Sequence, residues 1–298
     1  MNIDTNEQAG LDVPSVMSNR AIIEPPKLDV RNLPTRKVRY VIDSRDRNTD
    51  IYPSPSKYQI KLHEALTDVV KAELTVSDFK FNDYNVTTNH HVLHTATEDI
   101  ALPIGRYDGP GLAAMLTEQT PFTVSYSPVT DKLTFVSDAA ETLRFRDPVQ
   151  KRIGEESFVH PYLKGSVGRV LGFDCKDYAL EAGTPLEAPF RVSLSDENYI
   201  VMYMRQAKVY SSYNNAVHEC FAILNKSETT TLGLIMHGGP DSAVYKSFRP
   251  PVASFSTLAF KFTDHDGNLY DFQNKEHRFE IVFTCMRQTR SYNEIFNT

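Results

Sequence analysis

The stretch that most constrains the fold is Ser254–Cys285, near the end of the chain. Its apolar residues alternate with polar ones, which is the period of a strand with one buried face. The alternating apolar positions are Leu258, Phe260, Phe262, Phe279, Ile281 and Phe283. A turn at 264–268, where Gly267 can adopt a positive φ, separates the first strand from a second at 269–272, and a third follows. Three aromatic-rich strands expose too much apolar surface to be stable alone, so we expect a second sheet to cover them.

The rest of the chain predicts about a dozen short strands and one clear helix. Beyond the opening stretch, the strands are predicted at 38–42, 58–62, 69–81, 91–95, 100–104, 122–126, 132–136, 143–146, 199–210, 219–225, 232–236 and 245–249. The helix begins near Pro110 and carries an apolar stripe of Leu112, Met115 and Leu116. Residues 147–190 are predicted to be mostly loop. Because no βαβ rhythm is present, the pattern favours an all-β antiparallel sandwich or barrel.

Composition limits the functions that the chain can have. Its 298 residues suffice for one large β domain or two smaller ones, and its 41% hydrophobic residues are ordinary for a soluble globular protein. A formal net charge of −6 argues against a protein that coats nucleic acid over its whole surface. The cysteines, Cys175, Cys220 and Cys285, are far apart and form no C-x-x-C pair, which indicates reduced thiols. We expect neither a secretory signal nor a membrane-spanning segment.

Residues 1–36 read as a polar N-terminal arm without sustained periodicity. A free arm of this composition should be disordered, so we expect its own domain or a neighbouring chain to hold it. The end of the arm and the segment after it are basic, with Arg31, Arg36, Lys37, Arg39, Arg45 and Arg47. Such residues suit a solvated charged surface, and they also suit contact with nucleic acid or anionic lipid headgroups.

Two clusters carry residue types that bind metals. The segment N-H-H-V-L-H places His90, His91 and His94 close together. On a strand, His90 and His94 share a face but lie far apart for one ion, and no Cys or carboxylate has the usual spacing, so a polar strand end explains them better. The segment D-H-D-G-N at 264–268 has the start of a calcium loop but lacks the later acidic residues, and we predict a hairpin turn.

The sequence contains no recognisable catalytic motif. His218 and Cys220 would point to the same side of a strand, as a base and a nucleophile would, but a buried inert cysteine is the better interpretation. The G-G-P at 238–240 lacks the lysine and the helix of a phosphate loop, and neither a G-x-S-x-G elbow nor an H-x-H metal motif occurs. We therefore predict no catalytic, cofactor-binding or metal-binding residues.

Four segments follow one another in a characteristic order between about residues 40 and 285. They are V-I-D-S-R-D-R-N with Y-P-S-P-S-K-Y-Q-I-K-L (41–62), A-L-P-I-G-R-Y-D-G-P-G-L-A-A-M-L (101–116), V-S-Y-S-P-V-T-D-K-L-T-F with R-V-L-G-F (124–135 and 169–173), and L-A-F-K-F-T-D-H-D-G-N-L-Y-D-F-Q-N-K-E-H-R-F-E-I (258–281). In this order the chain resembles the minor capsid and penton proteins of large icosahedral double-stranded DNA viruses of eukaryotes, of the algal-virus and iridovirus type.

This resemblance implies a single jelly roll, in which two antiparallel sheets pack face to face. The jelly-roll domain would occupy residues 37–298, after the arm at 1–36. An insertion at about 84–190 would carry the helix and a hairpin. The strands of the sandwich would lie before Tyr84 and after Phe190.

The resemblance also implies a structural role without catalysis. The chain would be a minor capsid or vertex (penton) subunit that cements major capsid capsomers through its loops and its arm. Its partners would be the major capsid protein, other minor capsid proteins and further copies of itself around a symmetry axis. The basic end of the arm would contact an inner membrane or nucleic acid. The expected location is the capsid shell of a virion that is assembled in the host cytoplasm.

Two other functions compete with this interpretation. A β-sandwich binding module for carbohydrate or a receptor at a particle surface would expose an aromatic cluster in a groove, for which Tyr203, Tyr210 and Tyr213 are the candidates. A jelly-roll enzyme would instead gather histidines and acids in a pocket.

Overall fold

The computed structural model describes residues 34–79, 84–152, 158–194, 199–225, 234–236 and 244–287. The predicted arm lies outside these residues up to position 33. The strands and the helix are β1 (Thr35–Asp43), β2 (Lys57–Asp78), β3 (Val92–Thr95), β4 (Asp99–Ala101), α1 (Gly109–Gln119), β5 (Phe122–Ser127), β6 (Lys132–Ser137), β7 (Glu141–Arg144), β8 (Lys151–Arg152), β9 (Phe158–Val159), β10 (Tyr178–Leu180), β11 (Leu186–Glu187), β12 (Tyr199–Met204), β13 (Ala222–Asn225), β14 (Leu234–Met236), β15 (Val244–Thr263) and β16 (Arg278–Met286). Within the described ranges, no helix is long and apolar enough to cross a membrane.

The predicted fold class, an all-β antiparallel sandwich, is confirmed. The main sheet has seven strands in the order β1-β16-β2-β15-β12-β13, with β14 also paired to β2. A four-stranded sheet has the order β10-β7-β3-β4, a three-stranded sheet the order β11-β6-β5, and β8 pairs with β9. All these strand pairs are antiparallel.

Strand β2 makes the main sheet curl over itself. A straight strand of this length would be roughly 70 Å long. Yet residues near its two ends reach one side chain: the Tyr58 hydroxyl lies 3.0 Å from His277 Nε2, and the Phe79 and His277 ring centroids are 4.7 Å apart. Two irregularities lie in the middle of β2, since Asp68 has a φ of +51° and the register with β15 shifts between Ser247 and Val252. Irregular pairing of this kind bends and twists a strand, so the two layers of the sandwich are continuous through β2.

The core between these layers is rich in aromatic rings. Its fully buried large side chains include Tyr58, Phe79, Phe262, Phe272, Phe279 and Phe283. His277 lies at the centre of this group, with ring centroids 4.6 Å from those of both Phe262 and Phe272. The alternation that predicted a buried face at 258–262 and 279–283 is thus confirmed.

A second hydrophobic core is formed by residues between Val86 and Val192. It contains α1 and the hairpin of β5 and β6, two elements that the sequence predicted. Asp108 caps α1 by accepting a 2.8 Å hydrogen bond from the Gly111 amide, and the predicted stripe of the helix is buried in this core. The buried stripe residues are Leu112, Met115 and Leu116.

Some predicted strand boundaries are wrong. Residues 269–272 have the alternation of a strand, but they make only one isolated bridge, from Leu269 to Thr263, before the chain turns again. Strand β12 ends at Met204, where the prediction extended it to Tyr210. The separate strands predicted at 58–62 and 69–81 are one strand, β2, and residues 147–190 contain four short strands in addition to loops. The pattern of apolar residues locates faces, but backbone hydrogen bonding decides where a strand ends.

Candidate functional site

The main sandwich and the second core meet at a polar cleft of about 470 Å³. One wall is the turn that follows β15, and the other is made by segments at 88–92 and 161–169. The side chains that line it are predominantly polar. They include His90, His91, Tyr162, Arg169, Asp266 and Asn268.

The turn at 264–268 is tied to the second core through Asp264. The Asp264 carboxylate accepts hydrogen bonds from the Asn268 amide at 2.9 Å, from Asn268 Nδ2 at 3.1 Å and from Asn89 Nδ2 at 3.2 Å. Asn89 Nδ2 also donates to the Leu269 carbonyl at 3.1 Å. Gly267 has a φ of +89°, which suits the predicted turn. The Asp264 carboxylate, which would be the first ligand of a calcium loop, therefore holds the turn against Asn89.

One carboxylate of the cleft, that of Asp266, lies near two of its basic side chains. Arg169 Nη2 lies 3.5 Å from Asp266 Oδ2, and His90 Nε2 lies 4.0 Å from the same oxygen. The Arg169 guanidinium also lies over the Tyr162 ring, 5.5 Å from its centroid. Arg169 thus links the turn after β15 to the segment at 161–169.

The structure separates the three clustered histidines. His94 Nδ1 lies 2.7 Å from Asp99 Oδ1 and its Nε2 lies 3.2 Å from the Lys164 carbonyl, so both ring nitrogens are engaged. His90 faces Asp266, whereas His91 Nδ1 is buried without a hydrogen-bond partner. Across the described ranges, no three His, Cys, Asp or Glu side chains are arranged to hold a metal ion.

The His218 and Cys220 pair has no nucleophile geometry. Both residues precede β13, so they do not share the face of a strand. His218 Nδ1 accepts a hydrogen bond of 3.2 Å from the Ser212 amide. Burial raises the pKa of the Cys220 thiol to about 11, which keeps it protonated at neutral pH.

The candidate tyrosines do not form one exposed cluster. The Tyr203 hydroxyl donates to the Ala216 carbonyl, and Lys261 Nζ lies 4.5 Å from the centroid of the Tyr203 ring. One face of that ring is therefore occupied. Tyr213 is 86% exposed and Tyr210 is partly exposed.

Arg47 is the basic residue whose environment differs most from a solvated surface. Its side chain is only 4% exposed and pairs with Glu276, Nη1 to Oε2 at 2.6 Å. The guanidinium also donates to three carbonyls, those of Ser44 at 2.6 Å, Tyr52 at 3.0 Å and Pro53 at 3.2 Å. Arg47 thus folds the loop that precedes β2 around itself. The interpretation as a solvated surface charge is therefore wrong for this residue. Its burial is possible because the five N–H donors of a guanidinium can satisfy several buried acceptors at once.

Sequence reasoning missed the rest of this buried network, which we call the Arg47 network: Ser44, Arg47, Glu276 and His277. Ser44 Oγ donates to Glu276 Oε2 at 2.5 Å and accepts from the His277 amide at 2.9 Å. The Ser44 amide in turn donates to the His277 carbonyl at 2.9 Å. The one local signal was the density of polar residues in D-S-R-D-R-N before a stiff Y-P-S-P segment, and it does not name a partner more than 200 positions away.

The other basic residues of this region lie on the surface. Arg36, Lys37, Arg39 and Arg45 are exposed, and Arg31 lies outside the described residues. Arg39 Nη1 donates to Glu280 Oε1 at 2.8 Å, and Arg45 Nη2 donates to Asp43 Oδ2 at 2.6 Å.

Replacing Asp264 with asparagine should destabilise the protein by about 1–3 kcal/mol. The buried carboxylate accepts three hydrogen bonds, and the amide of asparagine would place an NH2 group against the N–H groups that now donate to it. Asp264 is 2% exposed, and burial raises its pKa, against which the hydrogen bonds from Asn268 act. The matched control is Asp266→Asn, whose side chain is 33% exposed and whose partners lie at 3.5 and 4.0 Å. Urea unfolding should separate the two variants. Equal losses of unfolding free energy would show that the hydrogen bonds of Asp264 do not stabilise the protein.

Comparisons with known proteins give little further information. No protein-family profile matches the chain, and no curated protein matches it. Among solved structures, the selenomethionine-labelled mavirus penton protein is similar to this chain, with a TM-score of 0.37 and 9% sequence identity. The similarity covers 84% of this chain and 99% of that one. A similarity this low carries no argument about function.

Proposed function

We propose that this protein is a structural subunit of an icosahedral virus capsid, without catalytic activity, in a minor capsid or vertex (penton) position. In this proposal the protein cements major capsid capsomers through its loops and its arm. Its partners are the major capsid protein, other minor capsid proteins and further copies of itself around a symmetry axis. It resides in the capsid shell of a virion that is assembled in the host cytoplasm.

The observation that carries the proposal is where the family-like segments lie in the fold. The segment 41–62 supplies Arg47, and the segment 258–281 supplies Glu276 and Asp264. In the segment 101–116, Tyr107 exchanges two hydrogen bonds with the side chain of buried Asn85, at 2.8 and 3.0 Å. These segments build a rigid frame, which is what a subunit that must hold its shape among several neighbours requires.

The surface of this frame supports the same proposal. Apolar side chains are exposed on β9 and just before β8, where Phe158 is 55% exposed and Val149 and Val159 are also exposed. Phe158 and Val159 are adjacent on β9 and therefore face opposite sides of the strand, so each leaves an apolar side chain available for contact with another protein. The alternative function, an aromatic groove for carbohydrate, has less support because the ring of Tyr203 is partly covered.

The proposal is tested with purified particles of the virus that encodes the chain. We expect mass spectrometry to find the chain in the particles and cross-linking to join residues 149–159 to another capsid protein. The variant Phe158→Asp should fold with an unchanged melting temperature and enter particles about tenfold less than the wild type, since a buried carboxylate opposes the contact. Particles that lack the wild-type chain would exclude the proposal.

A further inference from the structure

Strand β1 is an edge of the main sheet. In the described ranges its one partner strand is β16, in a register that runs from Thr35 opposite Met286 to Asp43 opposite Arg278. Just before β1, the Arg287 amide donates to the Pro34 carbonyl at 2.7 Å. Just after it, the Ser44 amide donates to the His277 carbonyl at 2.9 Å.

These two bonds fix which backbone groups of β1 are available. In an antiparallel pair, residues that bond to the partner alternate with residues whose N–H and C=O point the other way. Pro34 and Ser44 both bond toward β16, so the even-numbered residues of β1 do so as well. The odd-numbered residues direct their N–H and C=O groups away from β16. This free edge of β1 consists of Thr35, Lys37, Arg39, Val41 and Asp43.

The side chains of the free edge carry a specific pattern. Lys37, Arg39 and Val41 are exposed and share the outer face of the sheet, because successive odd-numbered residues point to the same side. On β16, their neighbours across the pair are Thr284, Val282 and Glu280. A strand added to the free edge would therefore lie beside Lys37, then beside Arg39, whose Nη1 already donates to Glu280 Oε1 at 2.8 Å, and then beside an apolar side chain.

A second copy of the same edge is a poor occupant. Two β1 strands paired with each other would bring Lys37 and Arg39 near their own counterparts, and like charges opposite one another destabilise a strand pair. Basic residues on an edge strand are a common defence against such pairing. An acidic strand meets no such repulsion.

We propose that the free edge of β1 binds an extended acidic segment of a partner protein by strand addition. Carboxylates of the segment lie opposite Lys37 and Arg39, and an apolar side chain lies beside Val41. A peptide strand fits better than a nucleic acid, because the edge offers both N–H donors and C=O acceptors, whereas phosphates only accept hydrogen bonds. This inference follows from β1 itself and holds whether or not the partner is a capsid protein.

The test uses the full chain and the synthetic peptide T-V-T-E-T-E-T, whose alternate residues match Val41, Arg39 and Lys37 in an antiparallel pair. We expect it to bind about tenfold more tightly than T-V-T-K-T-K-T, which carries the opposite charge in the same frame. The variant Lys37→Glu with Arg39→Glu should reverse this preference. Equal binding of both peptides to the wild type would overturn the proposal.

Amide hydrogen exchange distinguishes strand addition from simple charge attraction. Bound peptide should slow exchange at the free-edge amides of Lys37, Arg39 and Val41, while the amides of Val38 and Tyr40 keep their rates. The variant Val41→Pro removes an N–H of the free edge but no hydrogen bond to β16, so it should weaken binding of the acidic peptide. The double variant Lys37→Glu, Arg39→Glu should instead reverse the preference between the two peptides. Unchanged exchange on binding would overturn the proposal. So would equal or tighter binding of duplex DNA or phosphatidylserine vesicles at 150 mM salt.

Discussion

Replacing the buried Arg47 with methionine should lower the free energy of unfolding by about 3 kcal/mol. The change leaves Glu276 without its cation and leaves the carbonyls of Ser44, Tyr52 and Pro53 without their donor. Methionine replaces the aliphatic stem of arginine but not its guanidinium, so the loss reports mainly the hydrogen bonds and the charge. Urea unfolding followed by fluorescence or circular dichroism measures it.

Arg45 provides the matched control for Arg47. It lies two positions away, its side chain is 72% exposed, and its carboxylate partner Asp43 is local. We expect Arg45→Met to leave the free energy of unfolding nearly unchanged, because exposed ion pairs contribute little. Arg47→Lys should fall between the two, since lysine keeps the charge but not the planar fork of donors. If Arg47→Met costs no more than Arg45→Met, the Arg47 network is not what holds this loop.

Acidification should destabilise the protein through His277 by about 2.5 kcal/mol between pH 6.5 and pH 4.5. Burial among aromatic rings lowers the pKa of His277 from 6.5 to about 3. Between these two values the unfolded chain binds a proton that the folded chain does not. The stabilisation is therefore complete above pH 6.5 and is lost as the pH falls toward 3.

The contribution of His277 is isolated by comparing slopes of stability against pH. The variant His277→Gln should be less stable at pH 7.5, because it loses ring contacts in the core, but its stability should fall less steeply below pH 6.5. The variant His63→Gln, which removes an exposed histidine of β2, is the control for the loss of a histidine outside the core. Parallel curves for the wild type and His277→Gln would show that His277 is protonated in the folded state as easily as in the unfolded one.

Much of the fold follows from local patterns in the sequence. The alternation at 258–262 and 279–283 locates two buried faces, and Pro110 with the stripe of Leu112, Met115 and Leu116 locates the helix. Each of these signals lies within a few residues, where side-chain period and backbone geometry are directly linked. The segment 269–272 shows the limit of this reasoning, since it has the right pattern and buries Tyr270 and Phe272 without becoming a strand.

The long-range side-chain contacts that connect the parts of the molecule could not be predicted in the same way. Arg47 meets Glu276 and Asn89 meets Asp264, and in each pair the partners are far apart along the chain. A basic residue in a polar loop looks solvated until its partners are known. The curl of β2 is equally hidden, because it depends on a positive φ at Asp68 and on a register shift in the opposite strand.

The pairing of β1 with β16 joins the first strand of the described chain to the last. On the ribosome, β1 emerges early and has no partner until Arg278–Met286 has been synthesised. The aromatic faces of β2 and β15 remain uncovered for the same interval, and contacts of such long range also slow folding in free solution. We therefore expect a nascent chain of this protein to bind a chaperone until β16 has been released.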